Sequence, residues 1–230
     1  MKSLSILIPI YNEEESLQAL FEELKSSFEN NQSIEIIFIN DGSSDMSQKV
    51  IENEIANHST WKLINLYRNY GKSVALQSGI DIASNELIAT LDGDLQDDPK
   101  ELINLVRELN EDDVIVGWKK DRLDPLEKKI ASKIFNFFIK LFSGLKIKDS
   151  NSGIKVLKKE VAKSLNLYGG RHRYIPLLAH QKGFNVKEIP VNHRERKFGK
   201  SKYGAERYKH GFFDFMTILF LGKYMDRPLH

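Results

Sequence analysis

Five short apolar runs, at residues 3–10, 34–40, 61–67, 87–91 and 114–117, are separated by segments long enough for a helix, and that alternation leaves few folds open. Ser3 to Ile10 (SLSILIPI) reads as a buried strand, ended by Pro9 and feeding a helix from about Glu13 to Phe28. Ile34 to Asn40 (IEIIFIN) repeats the pattern, Ser43 or Ser44 is expected to cap the next helix, and Trp61 to Tyr67 supplies a third strand. Gly71 to Ala83 reads as a helix, Leu87 to Leu91 as a strand, Pro99 to Leu109 as a helix opened by proline, and Val114 to Gly117 as a fifth strand. Strands alternating with helices imply right-handed βαβ units and an α/β fold with a mostly parallel, doubly wound sheet. Such sheets bind ligands beyond the carboxyl ends of their strands. That rule selects Tyr11-Asn12-Glu13, the DGSSD run from Asp41 to Asp45, and the DGDLQ run from Asp92 to Gln96.

Composition narrows the class. With 230 residues, 41% of them hydrophobic, and no cysteine, the chain can bury a substantial core without disulfides; disordered, collagen-like and disulfide-scaffold proteins are excluded, and a reducing compartment fits. Met1 to Tyr11 does not read as a signal peptide, and no apolar stretch approaches the roughly 18 residues of a spanning helix. Charge is sharply divided. Residues 1–113 carry 8 basic and 22 acidic side chains, a net of −14, whereas residues 114–230 carry 26 and 10, a net of +16. The second half therefore suits an anionic partner, unless the two halves simply attract each other.

The LDGDLQDDP segment is the most informative. Asp92 and Asp94 stand two apart just after a strand, where alternate side chains share a direction. Such a pair can hold a hard divalent cation whose shell is completed by phosphate and water, with the Gln96 amide as a further ligand. An acidic turn capping the helix at Pro99 is the competing interpretation. An EF-hand is rejected, because its sixth and twelfth positions hold Asp97 and Ile103 instead of Gly and Glu. Two GKS triplets, at 71–73 and 199–201, are not P-loops, since Leu66 and Arg194 stand where the first glycine is required. GxGxxG, HExxH and GxSxG are absent, and the six histidines have no metal-ligand spacing.

Taken in order, PIYNEEESL, INDGSSD, LYRNYGKSVALQSGI and LDGDLQDDP resemble the family 2 glycosyltransferases of GT-A fold. DVIVGWKKDRLDP, KDSNSGIKVLKKEV and VNHRERKFGKSKYG resemble the polyprenyl-phosphate branch of that family, typified by dolichol-phosphate mannosyltransferase. The resemblance implies an inverting, metal-dependent enzyme moving a hexose from a nucleotide sugar of the UDP-glucose or GDP-mannose type to polyprenyl phosphate. Pro9, Tyr11, Glu13 and Asp41 would then hold the base and ribose, Asp92 the ribose or the metal's water shell, and Asp94 with Gln96 a Mg²⁺ or Mn²⁺ ion bridging the donor diphosphate.

A phosphate acceptor changes the chemistry expected of the protein. A phosphate monoester has a second pKa near 6, so it attacks already deprotonated, and the enzyme must gather anions instead of supplying a base. The resemblance points to Arg122, Arg196, Ser201 and Lys202 for that task, and more weakly to Arg194; Lys128 and Lys129 stand where relatives often carry arginines, which weakens bidentate phosphate contact there. A saccharide-hydroxyl acceptor would need a base, for which only Asp149 is available near residues 149–153. A third possibility is a non-enzymatic module binding nucleic acid or anionic lipid, which leaves the acidic clusters unexplained; no nucleic-acid partner is expected.

Leu126 to Phe142 reads as a basic amphipathic helix suited to a lipid surface, or as a core helix with solvated lysines. The expected layout is a GT-A domain over 1–207, with a nucleotide-sugar half (1–117) and an acceptor half (118–207), then an amphipathic juxtamembrane segment over 208–230 that looks cut before transmembrane helices. The expected location is the cytoplasmic face of the membrane.

Overall fold

A computed structural model of the chain describes residues 2–28, 31–120, 139–141, 143–192, 194–195 and 213–220. Strands β1 (Leu4–Ile10), β2 (Ile34–Asn40), β3 (Trp61–Asn65) and β4 (Leu87–Thr90) pair in parallel in the order β3-β2-β1-β4. Helices α1 (Glu14–Phe28), α2 (Ser47–Ile55) and α3 (Lys72–Ile82) connect them, and α4 (Glu101–Glu108) follows β4. Every residue of β2 is buried, because helices cover both faces of the sheet. Leu4, Ile6, Ile8 and Phe38 pack with Leu17, Phe21, Leu24 and Leu102 in one layer, while Leu7, Ile37 and Ile39 pack with Ala75, Leu76 and Ile80 in the other. The period-two alternation of strand side chains divides these neighbours between the layers, and each fully buried Ile, Leu or Phe contributes about 1.5–3 kcal/mol. Helix α1 repeats Leu17, Leu20, Phe21, Leu24 and Phe28 along one face, with Glu14 and Glu15 in its first turn and Lys25 in its last, in keeping with its dipole.

The second half completes the sheet differently. It contributes β5 (Val114–Lys119), β6 (Lys155–Lys158), α5 (Lys159–Ser164), a 3₁₀ turn at Arg171–Tyr174, α6 (Ile175–Gln181) and β7 (Val186–Val191). The order continues β4-β6-β5-β7, with β6 antiparallel to both neighbours and β7 parallel to β5, so four of the six pairings are parallel. The α/β, mostly parallel sheet expected from the sequence is present. Strand β6 escapes sequence reading because KVLK is four residues long and begins with a lysine, Lys155, that is buried only in the folded chain.

Local expectations are corrected at three places. Pro9 does not end β1, which runs on to Ile10. Leu91 N–H donates to Leu7 O, so the odd residues of β1 face β4; at Pro9 β4 has already ended, and no ladder partner awaits the missing N–H. The third strand stops at Asn65, where its register partner Asn40 ends β2. Neither Ser43 nor Ser44 caps α2, which begins at Ser47 with no side-chain cap; both serines bond to Asn12 instead.

A third, smaller core joins Ile139, Leu145, Ile147, Tyr174, Leu177, Phe215 and Ile218. The helical stretch 213–220 seats there, with the Phe215 ring stacked 6.3 Å from that of Tyr174. Of the amphipathic segment 126–142 only residues 139–141 are described, and they are helical, with Ile139 buried and Leu141 exposed. Among the described residues no helix is long and apolar enough to cross a membrane.

Candidate active site

Three turns at the carboxyl ends of β1, β2 and β4 are stitched into one wall. Asn12 adopts a left-handed φ of 51°, which brings its N–H to Ser43 Oγ (3.0 Å) and its Oδ1 to the Ser44 N–H (2.8 Å). Glu13 N–H donates to Ser47 Oγ (2.9 Å), and the Met46 N–H donates to Glu14 Oε2 (2.8 Å). Asp41 is buried and accepts the N–H groups of Tyr70 (2.8 Å) and Gly71 (2.9 Å), so it ties the end of β2 to the start of α3. Burial pushes its carboxyl up, and the two N–H groups only partly offset this. Gly42 is required beside it: φ is +67° and any side chain would collide with the Arg68 backbone.

The turn after β4 is held from both sides. A side-chain carbon on Gly93 would lie 2.6 Å from Ile10 Cδ1, and Ser16 Oγ lies 3.0 Å from Gly93 O. Leu95 is a buried non-glycine residue at φ 62°, a strained conformation that turns Gln96 back so that its N–H donates to Asp94 Oδ1 (3.2 Å). Behind the turn, Asp92 meets Lys72 through its Oδ1, while Asp97 Oδ1 lies 2.9 Å from Lys119 Nζ. Gly153, just before β6, closes the cluster: a Cβ there would lie 2.7 Å from Asp92 Oδ2 and 2.8 Å from Asp97 Oδ2. Lys155 and Asp149 are buried alongside, and the Lys155 ammonium donates to Ser152 O.

Three lysines thus face three aspartates. Burial favours protonation of Asp92, but the charge and hydrogen bond of Lys72, reinforced by Lys119 and Lys155, hold its carboxyl down at about 2. Burial and the like charge of Lys72 lower Lys155 to about 8, against the pull of Asp92, Asp149 and Asp97. Lys119 is raised, its burial outweighed by Asp97, Asp92 and Asp149. His172 joins from the second half, its backbone N–H and its Nδ1 both 2.9 Å from Ser73 Oγ at the start of α3. Burial, then the charges of Lys72, Arg173 and Lys155, press its imidazole well below the usual range; Ser73 Oγ accepts from the His172 backbone N–H and pairs with the neutral ring at Nδ1.

Pro9, Tyr11, Glu13, Asp41, Asp92, Asp94 and Gln96 all lie at these strand ends. Arg122, Arg196, Ser201 and Lys202, like Lys128 and Lys129, lie outside the described residues. Arg194 is occupied: its guanidinium binds both oxygens of Glu23 (2.7 and 2.8 Å) and also Asp98. Sequence reasoning missed Lys72, Lys119, Lys155, Asp97 and His172. The one available signal was the GKS triplet at 71–73, whose lysine follows a glycine at φ +92°.

Asp94 and Gln96 supply only oxygen ligands, which suits Mg²⁺ or Mn²⁺. Among the described residues no group of three or more His, Cys, Asp or Glu is arranged to hold a metal ion. The donor set therefore fits an ion that takes much of its shell from a bound diphosphate and water.

The chain matches the family model for glycosyl transferase family 2 over residues 5–165. It is 35% identical to a dodecaprenyl-phosphate galacturonate synthase of Rhizobium johnstonii, over 99% of this chain and 69% of that protein. It is 36% identical to an undecaprenyl-phosphate 4-deoxy-4-formamido-L-arabinose transferase of Salmonella choleraesuis, over 95% of this chain and 68% of that one. In fold it resembles the mannosyltransferase PcManGT of Pyrobaculum calidifontis, solved with GDP-Man and Mn²⁺ (TM-score 0.69, 15% identity, 97% of this chain and 69% of that one). It also resembles glucosyl-3-phosphoglycerate synthase of Mycobacterium tuberculosis, solved with Mn²⁺ and UDP-glucose (TM-score 0.71, 14% identity, 95% and 78%). The sheet and its flanking helices are those of the GT-A glycosyltransferases.

Proposed function

The chain belongs to glycosyl transferase family 2, and from that membership we propose that it transfers a sugar from a nucleotide donor to polyprenyl phosphate with a divalent cation at Asp94 and Gln96. The observation that carries this reading is the acidic wall of Asp41, Asp92 and Asp94 at the ends of β2 and β4, the strands that flank β1, beside Lys72, Lys119 and Lys155. Asp41, with Pro9, Tyr11 and Glu13, would hold the nucleoside, and Asp92 would face the ribose or the water around the cation. The cation would neutralise charge that builds on the departing nucleoside diphosphate.

Burial of Asp149 supports a phosphate acceptor over a hydroxyl one. The residue that a hydroxyl acceptor would need as base is enclosed beside Lys119 and Lys155, and it adjoins Glu188, which accepts its N–H at 2.8 Å. A phosphate needs no base. Its requirement is cationic and hydrogen-bonding side chains that draw it toward the anomeric carbon, the role we assign to Arg122, Arg196 and Lys202 as cations and to Ser201 as a hydroxyl donor. Both curated relatives are named for polyprenyl phosphates with different sugars, a galacturonate and a formamido-arabinose, so the donor is best sought in a panel that includes UDP-glucose, GDP-mannose and such modified sugars.

The third core supports a membrane seat, and we propose that this seat is on the cytoplasmic face. The helical stretch 213–220 buries Phe215 and Ile218 and leaves Met216 exposed, with Leu141 exposed on the same lobe, a surface suited to a lipid headgroup region.

The test is turnover of a donor panel with a short polyprenyl phosphate in Mn²⁺, in Mg²⁺ and in chelator. Metal-dependent formation of the glycosyl phospholipid is expected, and Lys202→Ala should lower turnover more than donor affinity. Transfer to a saccharide hydroxyl alone, or RNA binding with no nucleotide-sugar affinity, would overturn the reading.

A further inference from the structure

We propose that Lys72 is a donor-diphosphate ligand, held on Asp92 while the site is empty of donor and displaced from it when the cation and nucleotide bind. The inference rests on the donor reading above and adds to it a residue and a sequence of events.

The geometry separates what is fixed from what can move. The backbone at Lys72 is anchored on both sides, by Asp41 through the N–H groups of Tyr70 and Gly71 and by His172 through Ser73 Oγ. Only the side chain is left to swing. It bridges from the first turn of α3 to Asp92, between the Asp41 side of the wall, assigned to the nucleoside, and the Asp92–Asp94 turn, assigned to the cation. Its side chain keeps 23% of its surface in contact with solvent and that of Asp92 keeps 31%, whereas Lys119 and Lys155 are buried behind them. Lys72 is thus the cation of the cluster that can leave.

Charge explains why it would leave and where it would go. With three lysines against Asp92, Asp97 and Asp149 the cluster is balanced when Lys72 is seated. A divalent ion arriving beside Asp92 brings two further positive charges to a place already crowded by Lys155, whose ammonium and that of Lys72 repel each other. The displaced ammonium then meets the one new anion in reach, the diphosphate, whose charge grows as the sugar departs.

The test uses the whole chain and its Lys72→Met, Lys72→Gln and Lys72→Arg variants, each checked for an unchanged thermal transition. Mn²⁺ alone is titrated by electron paramagnetic resonance, and UDP or GDP is then titrated by calorimetry in saturating Mn²⁺. Lys72→Met and Lys72→Gln are expected to bind Mn²⁺ alone about fivefold more tightly, because the positive charge held against the Asp92–Asp94 turn is gone, and to bind the nucleoside diphosphate about tenfold more weakly, the scale of one charge-assisted hydrogen bond. Lys72→Arg should restore most of the nucleotide affinity. If wild type binds UDP or GDP with Mn²⁺ but either effect is missing in the neutral variants, the role of Lys72 is refuted and the donor reading stands. If wild type binds neither nucleotide, the donor reading falls and this inference with it.

Discussion

Thr90, the last residue of β4, donates from Oγ1 to the carbonyl oxygen of Gly153, 2.6 Å away and 63 positions later in the chain. The bond clamps the loop before β6 against the turn that carries Asp92, and it is possible because β6 enters the sheet antiparallel to β4. The acidic wall and the buried Lys119 and Lys155 meet across this contact.

Gly153→Ala tests how tightly that seam is closed. The added carbon would press on Asp92 Oδ2 and Asp97 Oδ2 at 2.7 and 2.8 Å, and neither carboxylate can retreat without leaving its lysine. A loss of about 1–3 kcal/mol in chemical denaturation is expected, with a raised donor KM. A variant as stable as wild type with an unchanged KM would mean the seam is looser than described.

Lys119→Met should cost more than its surface counterparts. It leaves Asp97 buried opposite no cation of its own, and breaking a buried pair from one side typically costs about 3–5 kcal/mol. Adding Asp97→Leu to Lys119→Met should recover most of that loss, since the penalty lies in the stranded charge. Urea unfolding of the two single variants and the double variant gives the coupling; additive losses would contradict it.

His172 should make the fold acid-sensitive. Its imidazole titrates well below 6.5 in the folded chain and near 6.5 when unfolded, so below that pH the unfolded state binds the extra proton. Stability from this group is complete above pH 6.5 and is lost as the pH falls below it, by at most about 1.4 kcal/mol per pH unit. His172→Gln should remove that part of the slope, measured as unfolding free energy from pH 7.5 to 5. An identical slope in both proteins would show that His172 is accessible to protons in the folded state.

Asp94→Asn should separate metal-supported binding from folding. It sits on an exposed-side turn whose shape depends on the Gln96 N–H, which an amide oxygen also accepts, so the unfolding free energy should stay within about 0.5 kcal/mol. Calorimetry should find binding of UDP or GDP in Mn²⁺ reduced at least about tenfold. Unchanged metal-dependent affinity would move the ion elsewhere.

The order of elements through β5 was legible from residue type alone, because a buried parallel strand must be apolar along its length and its crossover must be long enough for a helix. The strand-end rule likewise selected Asp41, Asp92, Asp94 and Gln96 before any contact was known. Turn details were not, since whether Ser43 caps a helix or bonds to Asn12 depends on how closely two loops approach.

What the residues determined by themselves was an α/β sheet with an acidic rim in its first half and an excess of positive charge in its second. Only the tertiary structure decided which lysines serve that rim. Lys72, Lys119 and Lys155 come from a helix start, a strand end and a short reversed strand, and they converge because β6 is inserted between β4 and β5. A lysine in a sequence is by default a solvated surface charge; it becomes part of a site when the chain's folding removes its water and leaves an aspartate as its partner.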